Sequence, residues 1–206
     1  MEDLLNQIAN CIERGKSHLN SPFSLEIKGG FNLIHSNVRV KNKSKLIINN
    51  IVFITENIIT TQLQNIKGSA LFTCTLGKQY DVWGRSFNDQ NDIFYRYFAD
   101  AIGSKIVEAA VDWFEGQINI EAEILELKFT NRYSSGYCEW NVSDQYKLSP
   151  FFPDNFCGIE ITDSARMTTI KFISGIIGLS ENVKKKTDIC NICSMVNFYI
   201  RLQEYV

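Results

Sequence analysis

The sequence predicts an α+β fold: a sheet layered with helices, with one long helix at about residues 91–114. Three observations carry this. An apolar periodicity runs from Tyr95 to Trp113, longer than any other in the chain. β-like runs lie on both sides of it, at Ala70–Leu76, Glu123–Phe129 and Phe172–Leu179. The regular strand–helix–strand spacing of a doubly wound sheet is missing.

From the start of the chain, Leu4, Leu5, Ile8, Cys11 and Ile12 fall at three- and four-residue spacings. That is the pattern of an amphipathic helix over 2–15, which Gly15 can end. Phe23–Ile27 and Phe31–Ile34 read as two extended pieces. Gly29 and Gly30 between them suggest a hairpin turn, because glycine reaches positive φ cheaply. Residues 36–50 are rich in Asn and Lys and read as a surface connection. The expected division is an N-terminal helix and hairpin appendage over 1–60 and a core over 61–206.

Ala70–Leu76 is β-like and stops at Gly77. The long helix has Asn88 and Asp89 as candidate caps and Asp92 in its first turn. Tyr95, Phe98, Ala101, Ile102, Lys105, Ile106, Ala109, Ala110 and Trp113 describe a broad face expected to be buried against a sheet. Gly103 interrupts this helix at up to ~1 kcal/mol of propensity, which close packing or a nearby ligand would justify. Glu123–Phe129 alternates as a strand does. Asn131–Trp140 is turn-rich and leads to a short helix capped by Ser143 and closed between Pro150 and Pro153. Gly158–Ile161 and Phe172–Leu179 read as strands, and Cys190–Glu204 as a final turn-to-helix element.

Hydrophobic residues make up 45% of the 206 and charged residues 21%, an ordinary globular mix. The net charge of -2 argues against a nucleic-acid or anionic-membrane binder. The densest basic run, Lys184 to Lys186, reads as a solvated loop. No stretch approaches the ~18 apolar residues that would cross a bilayer. Met1 to Gln7 lacks the basic start of an export signal. Six cysteines in a chain of this length are no disulfide framework, so reduced thiols and a cytoplasmic location are expected.

Several chemistries are absent from the sequence. There is no dinucleotide-type glycine loop and no P-loop, and Gly77 before Lys78 cannot cradle a phosphate alone. The two histidines, His18 and His35, have no partners at metal-ligand spacing and read as surface or structural groups. Cys190 and Cys193 form a CxxC, open to three readings: structural thiols, metal ligands completed by Cys138 and Cys157, or a redox pair. Glu108, Asp112 and Glu115 line one side of the long helix, as a solvated face or as a negative rim for a cationic ligand. Arg132 can make a salt bridge or a bidentate pair with a substrate carboxylate. It opens the run Arg132-Tyr133-Ser134-Ser135-Gly136-Tyr137. The glycine turn there can present backbone groups and aromatic rings to a small planar ligand.

The run R-Y-S-S-G-Y-C-E-W-N-V-S at 132–143 resembles the RxxxGY motif of the activation domain of vitamin B12-dependent methionine synthase, in its shorter stand-alone form. T-D-S-A-R-M at 162–167 with I-S-G-I-I-G at 173–178 is similar to the family's Thr-Glu-Ser…Met…Val-Ser-Gly stretch. T-L-G at 75–77 with D-A-I-G-S-K-I-V-E-A-A-V-D at 100–112 looks like its Asp-x-x-Gly-Ser and Ala-Glu-Ala helix. The blocks fall in family order over roughly 70–180. Cys138 replaces the family's proline after the Gly-Tyr pair, Asp163 its glutamate, and Phe172 a small residue.

The resemblance implies an α+β domain with a curved, mainly antiparallel sheet, residues 61–206 forming the activation-domain-like core. It implies S-adenosylmethionine as cofactor, and cobalamin carried by a partner protein. Arg132 would hold the methionine-side carboxylate, and Ser134, Ser135 and Gly136, with Tyr137 packing nearby, the adenosine side. Glu108 and Glu126 match family carboxylates. The implied function is reductive remethylation of a corrinoid-binding methyltransferase such as a methionine synthase, helped by an electron-donor protein. No residue acts as nucleophile or general acid. The alternatives are a non-catalytic scaffold or docking module for a corrinoid protein, or a small metalloprotein using Cys138, Cys157, Cys190 and Cys193.

Overall fold

The computed structural model describes residues 26–87, 93–137, 140–159 and 169–186. Its elements, in chain order, are β1 (Lys28–Ile34), β2 (Val38–Asn42), β3 (Lys45–Ile48), β4 (Ile51–Ile54), α1 (Glu56–Gln62), β5 (Gly68–Thr75), α2 (Gly77–Ser86) and α3 (Ile93–Ile124). Then come β6 (Lys128–Tyr133), 3-10 turns around the short helix α4 (Gln145–Leu148), another 3-10 turn at Phe156–Gly158, and β7 (Phe172–Ser180). One sheet has the order β1-β5-β7-β6 and the other β2-β3-β4. The chain divides into two units. The first gathers Met1–Gly30, Thr73–Glu115 and Asp154–Ile173; the second, Phe31–Phe72, Gly116–Pro153 and Ser174–Val206.

In the second unit, β2, β3 and β4 form an antiparallel meander. Asn49 and Asn50 make its tight turn, with φ of 46° and 68°. Both positions of such a turn need positive φ, which asparagine tolerates better than most side chains. Leu46 and Ile48 turn inward and join Phe53, Ile59, Leu63, Leu71, Trp140 and Ile176 in the core of this unit. β6 pairs antiparallel with β7, Phe129 opposite Leu179 and Arg132 opposite Ile177, with an irregularity between them. There the Thr130 hydroxyl accepts from the Gly178 N–H at 2.9 Å, a side-chain bond within the disrupted ladder.

In the first unit, Tyr80 and Trp83 of α2 and Phe87 just after it lie at three- and four-residue spacings and pack edge to face at 5.1 and 5.3 Å. The Tyr80 hydroxyl donates to the Ala99 carbonyl of α3 at 2.6 Å. A Cβ at Gly103 would stand 2.6 Å from the Tyr80 ring. The helix glycine is therefore a packing glycine, seating α2 against α3.

The fold is the α+β class expected, with a curved antiparallel sheet, packed helices and one long helix. Within it several elements differ from the reading above. The long helix runs ten residues past Phe114, to Ile124, and takes up the start of the expected Glu123–Phe129 strand, which begins instead at Lys128. Its buried stripe is Ala99, Val107, Val111, Ile118 and Ala122. The face chosen from periodicity is only partly covered, because this stretch is apolar nearly all round and its spacing does not single out one face.

β1 passes straight through Gly29 and Gly30. A Cβ at Gly29 would meet the Phe114 ring at 2.6 Å, so this glycine serves close approach and no turn. The Asn- and Lys-rich 36–50 segment holds two strands, since Val38, Leu46 and Ile48 turn inward at the spacing of a pleat. The short helical segment near 143 is capped by Asn141, whose side chain accepts from the Ser143 N–H. Gly158, at φ 70°, ends a 3-10 turn, and residues 160–161 of the strand expected there lie outside the described residues. The expected helices over 2–15 and 190–204 lie outside the described residues. Among those described, no helix is long and apolar enough to cross a membrane.

Candidate functional site

Arg132 and Tyr133 end strand β6, and Ser134–Tyr137 turn away from it. Arg132 is half-buried, opposite Ile177. Gly136 has φ of 92°, which a side chain would strain, so the glycine is required by the backbone. The turn is closed from inside. The Gly136 N–H donates to the Trp140 carbonyl at 2.7 Å and the Tyr137 N–H to the Ser134 carbonyl at 3.2 Å. Those two donors are engaged within the loop. The Ser135 hydroxyl is buried without a hydrogen-bond partner. The Tyr137 side chain is 48% exposed.

A corner of buried polar groups adjoins this turn. Asp144 is 4% exposed and accepts from Trp140 Nε1 at 3.0 Å and from the Ile54 N–H at 3.1 Å. Lys147 Nζ lies 2.8 Å from its other oxygen. Trp140 packs edge-on against Phe53. On the other side, a Cβ at Gly175 would collide with the Tyr133 carbonyl and lie 2.8 Å from the Ser134 hydroxyl. Two sequence blocks, Arg132–Tyr137 and Ile173–Gly178, thus meet through backbone approach at Gly175.

The remaining predicted residues are dispersed. Glu126 is exposed, in a left-handed conformation at φ 55° just after α3, in the same unit as the turn. Glu108 is half-buried on α3 and belongs to the first unit. Of the three helix carboxylates, Asp112 is exposed but Glu115 is buried, so they do not form one solvated face. Cys138, Cys190 and Cys193 lie outside the described residues. Both described cysteines belong to the first unit, Cys157 half-buried and Cys74 fully buried. Burial pushes the Cys74 thiol up to about 11, with the neighbouring Cys157 adding to the shift. Among the described residues no group of three or more candidate metal ligands occurs.

The first unit holds a cleft of about 620 Å³, with charged residues in its lining, that the sequence reading missed. Asp81 of α2 and Arg96, Tyr97 and Asp100 of α3 line it, together with Ile170 and Lys171. Asp81 is 4% exposed; one oxygen accepts from the Ile170 N–H at 2.9 Å, while the other has no hydrogen-bond partner. Burial raises its pKa above the usual value, against the opposing pull of the Ile170 amide and of Arg85 and Lys171. Lys171 is itself tied to Asp100 at 2.6 Å and to the Ser104 hydroxyl at 2.9 Å. The available signal was Asp81 on the apolar side of α2, one residue after Tyr80 and two before Trp83.

No protein-family model matches the chain, and no curated protein is similar enough in sequence to count as a relative. Its fold is similar to a solved structure, the MetH reactivation domain bound to AdoHcy (S-adenosylhomocysteine). The TM-score is 0.59 at 14% sequence identity, over 86% of this chain. The match spans 64% of that chain's length. At this identity the likeness is one of fold.

Proposed function

We propose that this chain is an activation-type domain. It binds S-adenosylmethionine at the Arg132–Tyr137 turn and assists reductive remethylation of a separate corrinoid methyltransferase such as a B12-dependent methionine synthase, in the cytoplasm. The observation that carries this reading is the meeting of the Arg132–Tyr137 and Ile173–Gly178 blocks at Gly175. It occurs in a fold similar to that of a reactivation domain solved with AdoHcy. In this reading S-adenosylmethionine supplies the methyl group, the partner's corrinoid receives it with one electron from a donor protein, and S-adenosylhomocysteine leaves.

The chain's own contribution is positioning. The Arg132 guanidinium is suited to a bidentate grip on the ligand carboxylate, and the half-exposed Tyr137 ring gives the adenine an apolar wall. Since the Gly136 and Tyr137 N–H groups are engaged within the loop, adenosine binding rests on side chains and carbonyl oxygens. Glu126, in the same unit as the turn, is assigned to the ligand by family match. The engaged N–H groups also favour a second reading, a docking module for a corrinoid protein that holds no S-adenosylmethionine.

Calorimetric titration separates the two. Saturable binding of S-adenosylmethionine that weakens tenfold or more in Arg132→Ala, about 1.4 kcal/mol, is expected. A folded wild-type protein that takes up no ligand at millimolar concentration would rule out a site preformed in this chain.

A further inference from the structure

The Asp81 cleft lies in the first unit, and S-adenosylmethionine binding at the Arg132–Tyr137 turn makes no use of it. Asp81 contributes to its lining although the residue is only 4% exposed, and one carboxyl oxygen has no hydrogen-bond partner. An unmatched buried oxygen lowers stability, and a ligand that brings a donor would offset the loss. Arg85 of α2 and Arg96 of α3 stand in the same lining. Arg85 Nε donates to the Asp81 carbonyl at 3.2 Å, which ties its guanidinium to this residue. Lys171 is paired with Asp100, so the two guanidinium groups outweigh the single Asp81 carboxyl and the cleft favours an anion. Ile93, Tyr97 and Ile170, each at least 60% exposed, give it apolar flanks.

We propose that the cleft is a binding site for a phosphate monoester. Arg85 and Arg96 take its anionic oxygens, its O–H donates to the Asp81 carboxylate, and its organic body lies against Tyr97 and Ile170. The ligand class follows from the pairing of an unmatched acceptor with two guanidinium groups. Guanidinium forks fit phosphate oxygens. A monoester, with its second ionisation at about pH 6, carries an O–H donor on the same head as its anionic charge. A sulfate ester has the same tetrahedral shape and no such proton near neutral pH, so its oxygens would meet the Asp81 carboxylate as acceptor against acceptor. The volume of about 620 Å³ exceeds what a bare phosphate ion needs and falls within the range of small-molecule sites. Because Asp81 is nearly closed to solvent, the donor that reaches it is a narrow one at the ligand's tip, as a phosphate O–H is.

Titration of the full chain with phenyl phosphate, phenyl sulfate and inorganic phosphate, followed through amide chemical shifts, tests this. Phenyl phosphate is expected to give saturating shifts at Tyr97, Asp100, Ile170 and Lys171, with Ser134 to Tyr137 unmoved. It should bind at least about tenfold more tightly than phenyl sulfate. Arg96→Ala, at an exposed helix position, should weaken phenyl phosphate by about tenfold or more. Asp81→Asn supplies an N–H donor of its own and should bring the two esters within about threefold of each other. Inorganic phosphate should bind more weakly than phenyl phosphate, and a bare ion that binds as tightly would overturn the monoester assignment. No saturable shift at the cleft in the folded wild type would overturn the proposal. So would equal affinity for the two esters, or a preference for phosphate that survives Asp81→Asn.

Discussion

Asp144 and Asp81 are equally buried, at 4% exposure each, and differently served. Asp144 takes two N–H donors and a lysine, so both of its oxygens are matched. Asp81 takes one backbone N–H, and its second oxygen has no partner. A buried carboxylate with an unmatched oxygen resists its charged form, as Asp81 does. The first therefore behaves as a structural pin behind the Arg132–Tyr137 turn. The second is a half-satisfied polar group at the edge of a cleft, retained at a cost in stability.

Removing the pin should have the larger effect. Asp144→Ala leaves the Ile54 N–H and Trp140 Nε1 without their acceptor and is expected to destabilise the chain by about 3 kcal/mol in urea unfolding. A loss under 1 kcal/mol would mean that water replaces the carboxylate there. Gly175→Ala forces a methyl group against the Tyr133 carbonyl. It should cost about 2–3 kcal/mol and disturb the amide signals of the turn more than those of β3.

Asp81→Asn should have a small effect whose sign depends on pH. Because burial raises the Asp81 pKa, the folded chain holds that proton more tightly than the unfolded one. Its stabilising contribution is complete below the ordinary value of 3.8 and is lost as pH rises through the folded value. The asparagine chain should therefore match or exceed wild-type stability at neutral pH and lose its advantage near pH 3. A variant much weaker at neutral pH would show the Asp81 charge to be needed. The smallest effect concerns Cys74. With its thiol pushed up to about 11, it should resist alkylation in the native chain at pH 8 and react on unfolding. Rapid native labelling of Cys74 would show that β5 opens.

The same contrast explains what the sequence could reveal. Phe172–Leu179 and Ala70–Leu76 were legible because continuous apolar runs bounded by turn residues have few other uses. The Arg132–Tyr137 turn was legible through its glycine and its family resemblance. Its dependence on Gly175 was not, because the contact joins residues some forty apart through backbone atoms that carry no sequence signature. β2 and β3 were missed because the Lys- and Asn-rich residues 41–45 between them and Asn49–Asn50 after them dominate the composition, which reads as a loop. Gly29 was read as a turn because a packing glycine and a turning glycine are the same letter. The Asp81 cleft needed α2, α3 and residues 170–171 brought together, which local patterning does not provide.

The most direct test of the central claim is amide chemical-shift mapping during titration with S-adenosylhomocysteine. The account predicts saturating shifts at Ser134 to Tyr137 that disappear in Arg132→Ala, with Tyr97 and Lys171 unmoved. Saturating shifts at Tyr97, Asp100 and Lys171 with the turn unchanged would contradict it, and would move the ligand site to the Asp81 cleft.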